Sequence, residues 1–164
     1  MVLPQASHMK KHHLIIIILL TIVLEILVAD PFARRGRAWE GSGGWGVDSS
    51  YVMTFNPQSV ETITGKVLSV QKFDPGENMS KGVSVEVRTS SGTVMVHLGP
   101  EWYIKRQDIK ILPGEWVVIT GSRVLFNRNP VIIASELRKA NYILRLRDDT
   151  GAPFWTGIRR SDIK

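Results

Sequence analysis

From residue 82 onward the chain alternates apolar and polar positions. Val83, Val85 and Val87 are apolar while Ser84, Glu86 and Arg88 are polar; Ser90, Ser91 and Gly92 interrupt the run, and Val94, Val96 and Leu98 resume it. A period of two places one set on each face of a strand, so the pattern predicts a hairpin of two half-buried strands. Ile63, Gly65 and Val67 alternate in the same way and predict an earlier strand over 61–73, with Gly65 expected at a bulge or bend. Asp74 to Asn78 reads as a loop. Gly99-Pro100-Glu101 breaks the third strand, and proline suits a first helical turn, so a short helix is expected over 102–106. Leu112-Pro113-Gly114-Glu115 is a turn into a strand over 116–120, ended by Gly121. Residues 124–126 and 131–138 flank Asn127-Arg128-Asn129-Pro130 as a hairpin, and a last strand over 142–147 stops at Asp148-Asp149-Thr150-Gly151. Three strands, a short helix and two or three more strands are the order of a small OB-like barrel, making the fold all-β with five to six strands. A partly open β-sandwich is the alternative.

The N-terminal pattern is different. Residues 14–29 read LIIIILLTIVLEILVA after Lys10-Lys11-His12-His13, a basic stretch followed by an apolar run. Sixteen residues make a helix of about 24 Å against a hydrocarbon core of about 30 Å, and Glu25 interrupts the run. Both features favour a signal peptide over a full span. Leu27 stands where a cleavage site would carry a small residue, and Arg34, Arg35 and Arg37 follow, so a removed signal and an uncleaved anchor both stay open. Met9 is a plausible internal start. Residues 30–59, with GSGG, Asp48-Ser49-Ser50 and Asn56-Pro57, read as a flexible, basic, Gly-rich linker; Trp39, Trp45, Tyr51 and Phe55 within it would dock on the barrel or lie at a membrane interface. The domain plan is then 1–29 signal or anchor, 30–59 linker, 60–156 barrel and 157–164 basic tail.

Composition narrows the chemistry. The absence of cysteine excludes disulfides, thiolate zinc, CxxCH haem and a cysteine nucleophile. The net charge is +6, of which the barrel region, with 13 Lys/Arg against 10 Asp/Glu, carries only +3, and the other half sits in the short flanks.

The segments VETITGKVLSV, VMVHLGPEWYI, LPGEWVVITGSRV and LRLRDDTGAPFW together resemble a family of small exported bacterial domains, the domain of magnetosome proteins of the S and X types, over residues 55–155. The resemblance implies an accessory role in building or maturing a magnetic iron mineral organelle at a membrane. X-type relatives carry CxxCH haem motifs; this chain has none, so it is more similar to the S type and electron transfer is not implied. No catalytic residue is carried over.

Candidate chemistry is sparse. His97 is the sole histidine past the N-terminal segment, and it shares the outward face with Met95, where a surface or loop-covered position is expected. One histidine without cysteine does not build a transition-metal site, so no tight metal and no cofactor are expected. Asp148 and Asp149 read as a polar turn. Nothing matches G-x-S-x-G or H-E-x-x-H, and no enzyme is expected. Nucleic-acid binding is a rival because OB barrels bind strands with basic grooves and stacking aromatics, for which Lys81, Arg88, Lys105, Arg106, Trp102 and Tyr103 are available. Export would keep the protein from DNA, so no nucleic acid is expected. The reading is a membrane-associated or exported interaction module, with His97, Glu101, Trp102, Tyr103, Arg34, Arg35 and Arg37 as its interaction surface. The membrane and other membrane or magnetosome proteins are its partners. The barrel is expected on the periplasmic or lumenal side of an inner or magnetosome membrane. An exported barrel binding a small ligand or cation is the alternative.

Overall fold

The computed structural model describes residues 42–157. The apolar run at 14–29, the arginines at 34, 35 and 37, and the tail from 158 lie outside the described residues. No helix among the described residues is long and apolar enough to cross a membrane.

Six strands follow in the expected order: β1 (Val60–Phe73), β2 (Gly82–Thr89), β3 (Gly92–Pro100), β4 (Trp116–Phe126), β5 (Asn129–Lys139) and β6 (Tyr142–Arg145). A four-residue helix, α1 (Glu101–Ile104), lies between β3 and β4. The sheet order is β3-β2-β1-β4-β5-β6, and a parallel pairing of β3 with β5, Val96 opposite Ile132, joins the sheet back on itself. β1 is long because it serves two partners, β4 with residues 60–66 and β2 with residues 66–73. A strand shared in this way, a helix after β3 and a β3–β5 closure make an OB barrel. Closure leaves no room for the sandwich alternative.

The alternating residues fill the interior. Val67, Val85, Val87, Val96, Leu98, Ile119, Ile132 and Leu137 are all at most 1% exposed. Each contributes about 1.5–3 kcal/mol by leaving water. Two glycines explain differences from the pattern reading. The β1 irregularity falls between Val67 and Ser69, not at Gly65; a Cβ at Gly65 would collide with the Arg88 carbonyl, so glycine is needed there for close strand approach. Gly121 does not end β4. It sits at a bulge inside the strand, where a Cβ would meet the Ile133 carbonyl of β5. The β4–β5 turn is Asn127-Arg128, both with positive φ (49° and 65°), the backbone of a two-residue hairpin whose twist matches its strands.

The region expected as a flexible linker is packed from Ser42, and its described aromatics take the docked one of the two outcomes expected for them, with Trp45, Tyr51 and Val52 at most 5% exposed. Gly43 and Gly44 have positive φ (58° and 83°) and lie against Ser80 and Met79, so these glycines shape a docked turn. Ser80 N–H donates to the Gly43 carbonyl at 2.7 Å, and Trp45 Nε1 donates to the Ser80 carbonyl at 2.8 Å. The aromatic rings hold the segment down because each needs burial and the barrel flank supplies it.

Candidate functional site

OB barrels bind their ligands on the outer face of strands 2 and 3, between the β1–β2 and β4–β5 loops. Here that ground is marked by Phe73 at the end of β1, His97 on β3 and Phe126 at the end of β4. The His97 ring lies 3.8 Å from Phe73 and 5.1 Å from Phe126, centroid to centroid. Tyr51 covers all three: its ring stands 5.5 Å from Phe126 and 5.7 Å from Phe73, and its Oη and His97 Nδ1 share a hydrogen bond of 3.0 Å. Trp45 stacks edge-on against Tyr51 and Phe73. The C-terminal stretch locks the cover, since Trp155 Nε1 donates to the Trp45 carbonyl at 3.0 Å and its ring rests on Gly99. The protein's own residues therefore fill the place where a base or sugar would stack.

A buried cation adjoins this cover. Arg147 is 4% exposed, with its guanidinium 4.7 Å from the Trp155 ring and 5.8 Å from Phe55. Nη1 donates to the Ala134 carbonyl at 2.6 Å, while Nε and Nη2 have no partner among the described residues. Burial pulls its pKa down to about 10. Burial, reinforced by the Arg147 charge, pulls the His97 imidazole down to about 4, and burial raises the Tyr51 phenol. At neutral pH the histidine is an uncharged spacer in an aromatic cluster. Beside Arg147 a groove of about 510 Å³ opens, lined by Ser135, Glu136, Arg138, Arg145, Asp148 and Asp149, among others. Glu136 is taken by Arg138 at 2.6 Å and by Arg145 at 3.7 Å. Asp148 Oδ1 accepts from Thr150 N, Thr150 Oγ1 and Ala152 N, which makes it the polar turn expected and, with the Thr150 hydroxyl first, holds its carboxyl below the usual range.

The residues expected to form an interaction surface do not come together as one. His97 and Tyr103 are buried, at 4% and 8% exposure. His97 is on the outward face as its parity requires, but Tyr51 lies over it; Tyr103 points inward from α1 and packs 5.5 Å from Trp155. Trp102 is half-buried, donates Nε1 to the Ser42 carbonyl at 3.3 Å, and lies 5.6 Å from the Arg106 guanidinium. Glu101 is held below the usual carboxylate range by Lys105 first and Lys72 second. Arg34, Arg35 and Arg37 fall outside the described residues. Among the described residues no three His, Cys, Asp or Glu side chains are placed to hold a metal. The sequence reading missed Phe73, Phe126 and Arg147. The aromatics at 45, 51, 55 and 155, lying outside the strands, were the available signal.

The geometry defines an OB barrel whose customary ligand face is covered by the segments that flank it. The chain belongs to the MamS/MamX magnetosome protein family, whose model matches residues 59–144, more than half its length, and its role is magnetosome-related. The family spans both types and does not separate S from X. No curated protein matches the chain. Among solved structures it is similar to the second OB-fold domain of replication protein A from Methanococcus maripaludis, at 17% identity over 51% of this chain and 86% of that one, with a TM-score of 0.36. It is also similar to the mitochondrial single-stranded DNA binding protein Rim1 from S. cerevisiae, at 11% identity over 52% of this chain and 96% of that one, with a TM-score of 0.39.

Proposed function

We propose that this protein is a non-catalytic interaction module, accessory to magnetosome formation or mineral maturation, with its barrel held at a membrane by residues 14–29. It works through its outer surface and its partners rather than through the OB ligand face. The observation that carries this reading is the Tyr51–His97–Phe73–Phe126 cluster: the stacking platform is spent on the chain's own segment. The near balance of charge from 60 to 156 supports it, because strand binding by phosphate neutralisation needs a focused cationic groove. The family supports the magnetosome setting, and the apolar N-terminal run supports the membrane.

The test is binding of the full chain to labelled single-stranded oligonucleotide at low and physiological salt. Weak binding that vanishes at physiological salt is expected, from the basic flanks alone. Tight binding that survives salt and is lost in a stably folded Trp102→Ala variant would overturn the reading. A second reading, a barrel holding a small ligand, is favoured by the groove beside Arg147. It would be supported by a thermal shift with inorganic phosphate that Arg145→Gln abolishes.

A further inference from the structure

One end of the barrel carries apolar side chains with nothing over them. Trp116, at the start of β4, is 65% exposed, and Leu112 in the preceding loop is 55% exposed. Across the sheet, Tyr142 and Ile143 on the edge strand β6 are 58% and 54% exposed. Strand pairing sets Ile143 on the same face as Trp116 although 27 positions separate them in sequence. Trp116 is one face position from Val118, which pairs with Arg138, and Arg138 pairs in turn with Ile143. Lys139 pairs with Tyr142, and its Nζ reaches the Lys110 carbonyl and Glu115, whose other oxygen accepts from Leu112 N at 2.8 Å. A concavity of about 310 Å³ between Trp116 and Ala140, floored by Thr64 and Val118, joins the two sides.

Cations stand between these apolar tips. Lys66 is the cross-strand partner of Trp116, and Arg88 is the partner of Lys66 on the other side. Lys110 lies in the loop before Leu112. All three are exposed and have no carboxylate within ion-pair distance among the described residues. Two carboxylates beside these residues are occupied: Glu115 holds Lys139 at 3.0 Å, and Glu136 holds Arg138.

We infer that this end of the barrel is a docking surface for a bilayer of anionic phospholipid, with Trp116, Leu112 and Ile143 entering the headgroup layer and Lys66, Arg88 and Lys110 meeting phosphate. The interleaving decides between a membrane and a protein partner. A protein interface gathers its apolar residues into a contiguous core from which charges are depleted. Here every apolar tip has a cation beside it, the arrangement of an interfacial anchor, in which aromatic rings sit at headgroup level and basic side chains extend to the anionic surface. The contact is additional to the N-terminal segment and does not require it. It adds a lipid partner to the interaction-module reading, and its failure would leave that reading, tested with oligonucleotides, standing.

The cysteine-free chain allows a direct measurement. Single variants Leu112→Cys and Ile143→Cys, and Leu125→Cys as control, are spin-labelled in the full chain and added to vesicles of phosphatidylcholine alone or mixed with phosphatidylglycerol. Leu125 is 71% exposed and lies nine residues further along β4, roughly 30 Å from Trp116. Residues 14–29 have an apolar bilayer to enter in either vesicle, so only lipid charge differs. Labels at 112 and 143 should gain oxygen collisions and lose collisions with a nickel chelate on anionic vesicles only, while the label at 125 stays aqueous. Lys66→Gln with Lys110→Gln should lower the inserted-to-aqueous ratio of the labels at 112 and 143 on anionic vesicles about fivefold per cation removed. Labels at 112 and 143 that stay aqueous on anionic vesicles would overturn the inference. So would dipolar broadening between labels without lipid, which would mean that a second copy covers this end.

Discussion

Lowering the pH tests the covered face most directly. His97 is 4% exposed, next to Tyr51 and facing the Arg147 charge, and its pKa falls from 6.5 to about 4. The unfolded chain takes up a proton at this residue below pH 6.5, whereas the folded chain refuses it until about pH 4. The stability due to neutral His97 is therefore complete above pH 6.5, is lost progressively between 6.5 and 4, and changes no further below that. Integrated over the window, the loss is about 3 kcal/mol, with about 2 kcal/mol gone by pH 5. The carboxylates held low by partners, such as Glu61 on Arg123, give up most of their stability at lower pH than this. Denaturant unfolding of wild type and His97→Gln at pH 7 and pH 5 isolates the effect: wild type should lose about 2 kcal/mol more than the variant. The imidazole resonances give a second reading, since His97 should titrate near pH 4. Equal pH slopes for the two proteins, or a His97 midpoint near 6.5, would refute the burial on which the covered-face reading depends.

Removing the Arg147 charge with Arg147→Met should raise the His97 midpoint by proton NMR, yet leave it below 6.5, because desolvation is the larger of the two causes. Trp45→Ala should cost about 3–5 kcal/mol in chemical unfolding, the range for deleting a fully buried indole, although the residue lies before the first strand; a loss within 0.5 kcal/mol would mean that the segment is not held.

How legible this was depended on where each residue finds its partner. Val83, Val85, Val87, Val94, Val96 and Leu98 could be read because a two-residue period is a property of the strand itself. Gly121 was read as the end of a strand because its reason, the Ile133 carbonyl, belongs to another strand. His97 and Arg147 follow the same logic. Parity put His97 on the outer face, and Arg147 was read only as the end of the last strand. Their burial comes from Tyr51, 46 positions away, in one case and from Phe55, on the far side of the barrel sequence, together with Trp155 in the other. The glycines at 43 and 44 misled for a related reason: a flexible linker and a tight left-handed turn present the same letters. Resemblance to the magnetosome proteins was legible because its motifs lie in the strands and turns of the barrel. The exposed end around Trp116 was not, since an alternating strand gives no sign of whether its outer face is left open.

The bond from Trp155 to the Trp45 carbonyl spans 110 positions and has a consequence for how the molecule is assembled. The matched span of 59–144 holds the strands but neither half of this clasp. A nascent chain that has completed β6 can already seat Trp45 on Ser80 and Tyr51 on His97, but the latch that Trp155 adds over Trp45 must wait for the last turn, and closing so long a loop is entropically costly. A fragment trimmed to the matched boundaries would lack both the leading segment and its latch, would show solvent the outer sides of Phe73, His97 and Phe126, and aggregation is its expected fate.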